Sequence, residues 1–471
     1  MRTGHKTDRA IRVAIEGLEC RRLFAVLVTP VDSDGDGANE LIITGDGNNN
    51  RVIVYDDDQN DRTDVVLDTN NNGAFDLGEV NFPFAEEFEE TEVSLGGGND
   101  TLRYFLVTDL ESGDRRLLVD LGSGDNKLIY SSPTTGSSSA GVLFDTDGAD
   151  IIDESDVVIQ ADASTGKDTF DIDLSRTTIS SSRVNIDLNG SGGSDTFSFK
   201  TPDFNQNEDG IVADGSFKPS QVIYDPSGGG GTTNTYNFDI FSDIEDGSTL
   251  DMDIEGGTAK DVITSNFSLG LFSSGGLQRS GLDFQANLGD GADSFLGNVD
   301  LGTLASFLGP NTQARFNVNG QANNDIIRYR DVTTGGGDSG QIAGLLDLSA
   351  SGGAQHDTVT CDLDTLGGAR LSVTSSGEFR SIMNGGTGND TVFIDLVTGV
   401  QTTGLLELAV LGGSGDDKVS LALKDDGNAV YAGGKALLDG GLGTDRWDTE
   451  GDGLIIRTST EILDESLQAP Q

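Results

Sequence analysis

Residues Asp68 to Glu79, DTNNNGAFDLGE, set oxygen-bearing side chains at positions one, three, five, nine and twelve of a twelve-residue stretch. That spacing suits a hard divalent cation, which gathers about six to eight oxygen ligands inside one tight loop. Asp68, Asn70 and Asn72 offer side-chain oxygens, Gly73 permits the sharp turn, and Ala74 offers its carbonyl. Asp76 would act directly or through water, and Glu79 would close the site with both carboxylate oxygens. Two asparagines in place of aspartates lower the charge of the site and predict weak Ca2+ binding, on the order of 10⁻⁴–10⁻³ M. Upstream, Asp32, Asp34, Asp36, Gly37 and Glu40 follow the same plan for nine positions, with Ile43 where a closing glutamate would stand.

The first loop resembles EF-hand and dockerin-like calcium loops. DVVLD before it reads as a strand and VNFPF after it contains Pro83, so the expectation is an EF-hand-like loop without the flanking helices. The second is similar to the DxDGDGxxE/D loops of FG-GAP and VCBS-type repeats, leading into LIIT and RVIVY. Gly385-Gly386-Thr387-Gly388-Asn389-Asp390 and Gly412-Gly413-Ser414-Gly415-Asp416-Asp417 resemble the GGxGxD elements of RTX, or haemolysin-type, repeats. The resemblance implies Asp390 and Asp417 as calcium ligands, with glycine carbonyls adding further oxygens. RTX elements follow one another at about nine residues, whereas these are isolated by some thirty. The other reading of each knot is a turn in which Asp or Asn bonds its own backbone.

Composition narrows the rest. The chain has 471 residues, 66 glycines, 8 prolines and 35% hydrophobic residues, which predicts short strands joined by tight corners. A formal charge of −50 would make a compact body repel itself unless cations screen or bind it. The same charge excludes nucleic acid as a partner, because it repels phosphate and no basic patch offsets it. No apolar run is long enough to span a bilayer. Two cysteines, Cys20 and Cys361, are too few for a disulfide framework. The first 25 residues are basic in an acidic chain, as expected of an export leader. Within them, Leu18 to Ala25 resembles the LEPR-XLL-type motif near the start of exported planctomycete proteins, with Cys20 in place of proline and Phe24 in place of leucine. This implies an extracellular or cell-envelope location.

From Val93 the chain repeats one plan: an alternating apolar strand, a glycine-rich knot ending in a carboxylate or amide, and a second alternating strand. About thirteen such units can be recognised, and a near-constant period of this size marks stacked supersecondary units. The clear ones include SLGGGNDTLRYFL, LGSGDNKLIY and NGGTGNDTVFIDL; weaker ones include FDTDGADII and STGKDTFDIDL. Asp261, Asp293, Asp325, Asp357 and Asp390 follow one another at 32 or 33 residues. Two, four and six places after the anchor stand Val359, Cys361 and Leu363, then Val392, Ile394 and Leu396, then Val419, Leu421 and Leu423. Phe170, Ile172 and Leu174 fall in the same places. Period two is strand geometry, so these side chains should point inward and Thr358, Thr360, Asp362 and Asp395 outward. Stacked anchors such as Asp325, Asp357, Asp390 and Asp417 would repel one another, which calls for cations or for outward rotation.

The expected fold is therefore all-β, a parallel β-helix or β-solenoid, with antiparallel hairpins as the alternative. Its parts would be a leader over 1–25, a small calcium-binding β module over 26–92, a repeat domain over 93–451 and a cap or tail over 452–471. The expected function is that of an exported, calcium-binding, non-enzymatic solenoid with a structural, matrix or adhesion role, met by an extracellular polysaccharide or a cell-surface protein. The alternatives are a secreted carbohydrate-active β-helix enzyme, lyase or hydrolase, and a salt-tolerant scaffold without metal. Aromatics at 6%, a single tryptophan and two histidines argue against a sugar cleft or an acid–base centre. His356 reads as an exposed turn residue.

Overall fold

A computed structural model describes residues 26–463 apart from 33–38, 73–78, 112, 132–150, 203–210, 213–219, 269, 273–279, 301–306, 333–340, 364–370, 399–402, 426–432, 451–454 and 459–461. The described chain is a parallel β-solenoid with three sheets, two of sixteen strands and one of nine. A typical coil runs from Leu345–Ala354 in sheet 1, round a glycine corner, to Thr358–Leu363 in sheet 2. It continues through the short strand Ser372–Val373 in sheet 3 to Glu378–Thr387, back in sheet 1 one level along. The hairpin alternative is thereby settled for the repeats: their strands pair with the equivalent strands of neighbouring coils, in parallel.

The register makes like stack on like. Val359 pairs with Val392 and Val392 with Val419, while Cys361, Ile394 and Leu421 form the next column. All twelve positions expected to point inward are buried. Bulk is matched along the axis, as in the stacked rings of Phe170, Phe197 and Tyr236, whose successive centroids lie 5.1 and 5.0 Å apart. That spacing follows from the distance between hydrogen-bonded strands, about 4.8 Å, so each coil buries its apolar face against the next. Burial lifts the Cys361 thiol to about 12, which leaves it a small inert hydrophobe.

Two outward expectations need correction. Thr360 and Asp395 are buried although they alternate with the core residues, and so is outward Phe393. The register sets Thr360 beside Phe393, and the Lys424 ammonium closes on Asp395 at 3.2 Å, so stacked neighbours cover these positions. The stretch FDTDGADII also departs from the plan, since its last residues enter sheet 3 as Ile151–Asp153 and make no corner between sheets 1 and 2.

The first strands share the long sheets. Glu40–Thr44 pairs in parallel with Glu90–Ser94, and Arg51–Asp57 with Thr101–Leu106. Antiparallel strands then finish this end: Leu27–Val31 on sheet 1, and Arg62–Leu67 followed by Val80–Phe84 on sheet 2. Pro83 lies in that outermost strand, where a missing N–H is tolerated. Among the described residues no helix is long and apolar enough to cross a membrane.

Replacing Ile394 by Ala should lower stability by ~2–5 kcal/mol, the usual cost of a cavity in a close-packed core. Thr358→Ala, on the outward side of an adjacent strand, should stay within about 0.5 kcal/mol. Urea unfolding followed by circular dichroism checks both, and equal effects would contradict the assignment of the two faces.

Candidate metal loop and the corner column

Both loops singled out for calcium are hairpin loops at the N-terminal end. Residues 68–79 join Arg62–Leu67 to Val80–Phe84, and 32–39 join Leu27–Val31 to Glu40–Thr44. The strand expected before the first loop is present, and VNFPF, for which no strand was expected, forms one as well. Asp68 is buried, and its Oδ1 accepts the N–H groups of Asn71 at 2.6 Å and Asn72 at 3.3 Å. Asn70 Oδ1 accepts the Asn72 N–H at 2.9 Å. Glu79 folds back over the loop start, its Oε1 accepting the Thr69 N–H at 2.8 Å. First and last acids are thus brought to one end, as a closing oxygen cage requires. Arg103 intrudes there, with Nη1 3.4 Å from Asp68 Oδ2. Ala74 and Asp76 lie outside the described residues, as do Asp34 and Asp36. Asp32 is exposed beside its loop, and Glu40 is buried at the head of its strand. Among the described residues no three His, Cys, Asp or Glu side chains group as a metal site.

The knots form a column along the corner between sheets 1 and 2. At most corners the anchor N–H turns to a side-chain acceptor of the adjacent coil and not to a carbonyl; at Asn234 the side-chain amide makes the link to Asp261 instead. The Asp325 N–H donates to Asp357 Oδ1 at 2.8 Å, Asp357 to Asp390 at 2.8 Å, Asp390 to Asp417 at 2.8 Å and Asp417 to Asp445 at 2.9 Å. The chain of bonds starts at Asn50, which donates to Asp100 at 2.6 Å, and Asn126 and Asn234 accept in the same way. Asp390 and Asp417 therefore point inward and are buried. Outward rotation does not occur: one oxygen of Asp357, Asp390, Asp417 and Asp445 is taken by a main-chain donor of the preceding coil.

The residue before the anchor builds a second ladder running the other way. Asp125 N–H donates to Asn99 Oδ1, Asp416 N–H to Asn389 Oδ1, and Thr444 N–H to Asp416 Oδ1. His356 belongs to it: its Nδ1 accepts the Asn389 N–H at 2.8 Å, which requires that nitrogen to be unprotonated. The ring is exposed, as expected, but it has a structural task.

Burial shifts the inner carboxyls upward. Asp100, Asp195, Asp293, Asp357, Asp390 and Asp417 are pushed up to about 6, and Asp261 and Asp325 to about 8, each mainly by removal from water. The first glycine of the knot makes room for this inward carboxyl. A methyl added to Gly385 would lie 2.7 Å from Asp390 Oδ2 and 2.6 Å from the Gly412 carbonyl oxygen.

One cluster carries no motif in the sequence. Arg115 is buried beneath the N-terminal strands, with Nε 2.9 Å from Asp56 Oδ2 and Nη2 2.8 Å from Glu87 Oε2. Tyr104 donates to the same Asp56 oxygen at 2.7 Å. Burial raises Asp58 to about 6, and its hydrogen bond to Glu87 adds to the shift. Only the fold brings residues so far apart in sequence together.

Compared with known proteins, the chain matches no protein-family model, no curated protein and no solved structure.

Gly385→Ala should cost more than about 1 kcal/mol, because the new methyl meets backbone and a buried carboxyl. Thr387→Ala, at an exposed site in the same corner, should change little. Thermal melting of the two variants checks this, and a neutral Gly385→Ala would mean that the carboxyl does not turn inward.

Proposed function

We propose that the protein is an exported, non-enzymatic β-solenoid that binds calcium in the hairpin loop of residues 68–79 and serves as a structural, matrix or adhesion element. The observation that carries the calcium reading is the return of Glu79 onto the first residues of the loop, beside Asp68. Carboxylate and amide oxygens are the donor types a hard cation takes, and low charge suits the millimolar levels found outside cells. Asp68, Asn70, Asn72 and Glu79 would supply the described part of the cage.

A non-catalytic role draws support from the corner column. Strongly perturbed carboxyls in a cleft ordinarily suggest an active site. Here the same shift recurs coil after coil and goes with one repeated hydrogen bond, so it has a structural cause. An extended acidic surface suits a matrix or surface component whose partner is an extracellular polysaccharide or a cell-surface protein, held through bridging cations.

Titrating calcium into the full chain by calorimetry, at fixed ionic strength, tests the loop. We expect weak binding, on the order of 10⁻⁴–10⁻³ M, lost in Glu79→Gln and tightened several-fold in Arg103→Gln, which frees Asp68 from a competing cation. Unchanged binding in Glu79→Gln would move calcium elsewhere. Turnover of an acidic polysaccharide by the purified chain would replace the scaffold reading with an enzyme.

A further inference from the structure

We infer that the inner corner aspartates Asp261 and Asp325 are neutral carboxylic acids that hydrogen-bond as asparagines do, each a buried proton site that closes its coil onto the next. The argument comes from comparing coils within one molecule. At the asparagine anchors the amide nitrogen donates to oxygens: Asn234 Nδ2 to Asp261 Oδ1 at 2.9 Å, and Asn50 Nδ2 to the carbonyls of Asn48 at 2.8 Å and of Leu95, one coil on, at 3.2 Å. Asn126 Nδ2 likewise donates to Gly124 O at 3.1 Å.

The aspartates put an oxygen in that same place. A methyl on Gly45 would lie 2.7 Å from Asn50 Nδ2 and 2.6 Å from Leu95 O. A methyl on Gly320 would lie 2.5 Å from Asp325 Oδ2 and 2.4 Å from Gly352 O, and one on Gly256 would lie 2.5 Å from Asp261 Oδ2 and 2.3 Å from Leu288 O. The second carboxyl oxygen therefore faces a carbonyl, and in Asp261, Asp293 and Asp325 it is buried with no hydrogen-bond partner. Two acceptors facing each other away from water repel, and an unmet buried group is costly. A proton on Oδ2 converts that contact into a donor–acceptor pair, while Oδ1 of Asp293 and Asp325 keeps the main-chain N–H of the preceding coil and Oδ1 of Asp261 keeps the Asn234 side-chain amide.

The charges around these groups favour the neutral form. Asp261 faces Asn234, Tyr236 and Asp293; Asp293 faces Asp261, Asp290 and Asp325, with Lys260 the one cation; Asp325 faces Asp293 and Asp357. Burial is the larger cause, lifting Asp261 and Asp325 to about 8 and Asp293 to about 6. An unfolded chain releases such protons near about 3.9. The contribution of Asp261 and Asp325 is therefore whole below that value, declines as pH rises, and is lost above about 8.

The test uses the full chain and the variants Asp261→Asn, Asp325→Asn and their combination, with Asp156→Asn as an exposed control. Melting is followed at about pH 5 and about pH 9, with chelator and with millimolar calcium. The wild type should melt lower at the higher pH, and the double variant should lose less of its midpoint over that interval than wild type or control. The infrared band of protonated carboxyl groups should be present in the wild type at neutral pH and weaker in the double variant. The proposal is overturned if the variants melt below wild type at both pH values, if the band is missing, or if the substitutions abolish a calcium-dependent rise in the midpoint, which would place a cation at these oxygens. None of these outcomes depends on the loop of residues 68–79.

Discussion

Every coil of this solenoid must turn a corner between its two long sheets, and at most of these corners one main-chain N–H turns to a side chain and not to a carbonyl. Left unmet inside the protein, such a donor would cost on the order of 1–3 kcal/mol. The anchor Asp or Asn of the next coil meets it, which explains two features of the repeat at once. The anchor must be a short acceptor side chain able to fold inward, and at Gly190, Gly256, Gly320, Gly352, Gly385 and Gly412, each five residues before an anchor, that carboxyl lies where a Cβ would stand. The glycines at positive φ, such as Gly386 at +100° and Gly388 at +143°, then bring the chain round without a Cβ against the neighbouring backbone.

The corner and the core support each other. A fixed hydrogen bond between anchors of successive coils sets the register, and a set register stacks Val on Val and ring on ring. A shift of one residue would send every core side chain to the outer face. The stretches of sequence between sheets 2 and 3 can then vary in length without disturbing the stack, since neither end of the register depends on them. This is why the anchors keep a spacing of 32 or 33 residues from Asp261 to Asp390 but stand 50 residues apart at Asn50 and Asp100, 42 apart at Asn126 and Asp168, and 27 apart at Asp390 and Asp417. At the N-terminal end, antiparallel strands, Pro83 and the buried Arg115 with its carboxylates finish an edge that would otherwise offer free strand to another chain.

Much of this was legible in the residues. Period-two alternation identified the inward columns because burial on one face imposes it directly, and Val392, Ile394 and Leu396 lie where that pattern sends them. The anchors were recognisable by spacing, but their orientation was not. Simple repulsion between stacked carboxylates predicts outward rotation, and the opposing term, an orphaned main-chain donor at the same level, exists only once the coils are stacked. The presence of Asn at three anchors was the available signal, since an amide and an ionised carboxylate are not interchangeable inside a protein. Arg115 with Asp56 and Glu87 had no such signal, being assembled from residues up to 59 positions apart.

The formal charge of −50 takes on a different meaning in this setting. Part of the acidic complement lies in the interior column, where burial favours the uncharged form, so counting carboxyls overstates the charge that the folded body carries. Other acidic residues stand on outward sheet positions, where stacking again places like on like. Asp225 lies one coil from Asp187 and is raised by burial and then by the neighbouring charges of Asp253, Asp187 and Asp251. Towards the C-terminal coils the same face alternates its signs, and Arg380 reaches Asp347, Glu378 and Glu407. Exposed pairs of this kind contribute little each, but they relieve the repulsion that in-register stacking creates. Salt would therefore act mainly on the acidic middle of sheet 1, through screening over a Debye length of about 8–10 Å, and far less on the buried column.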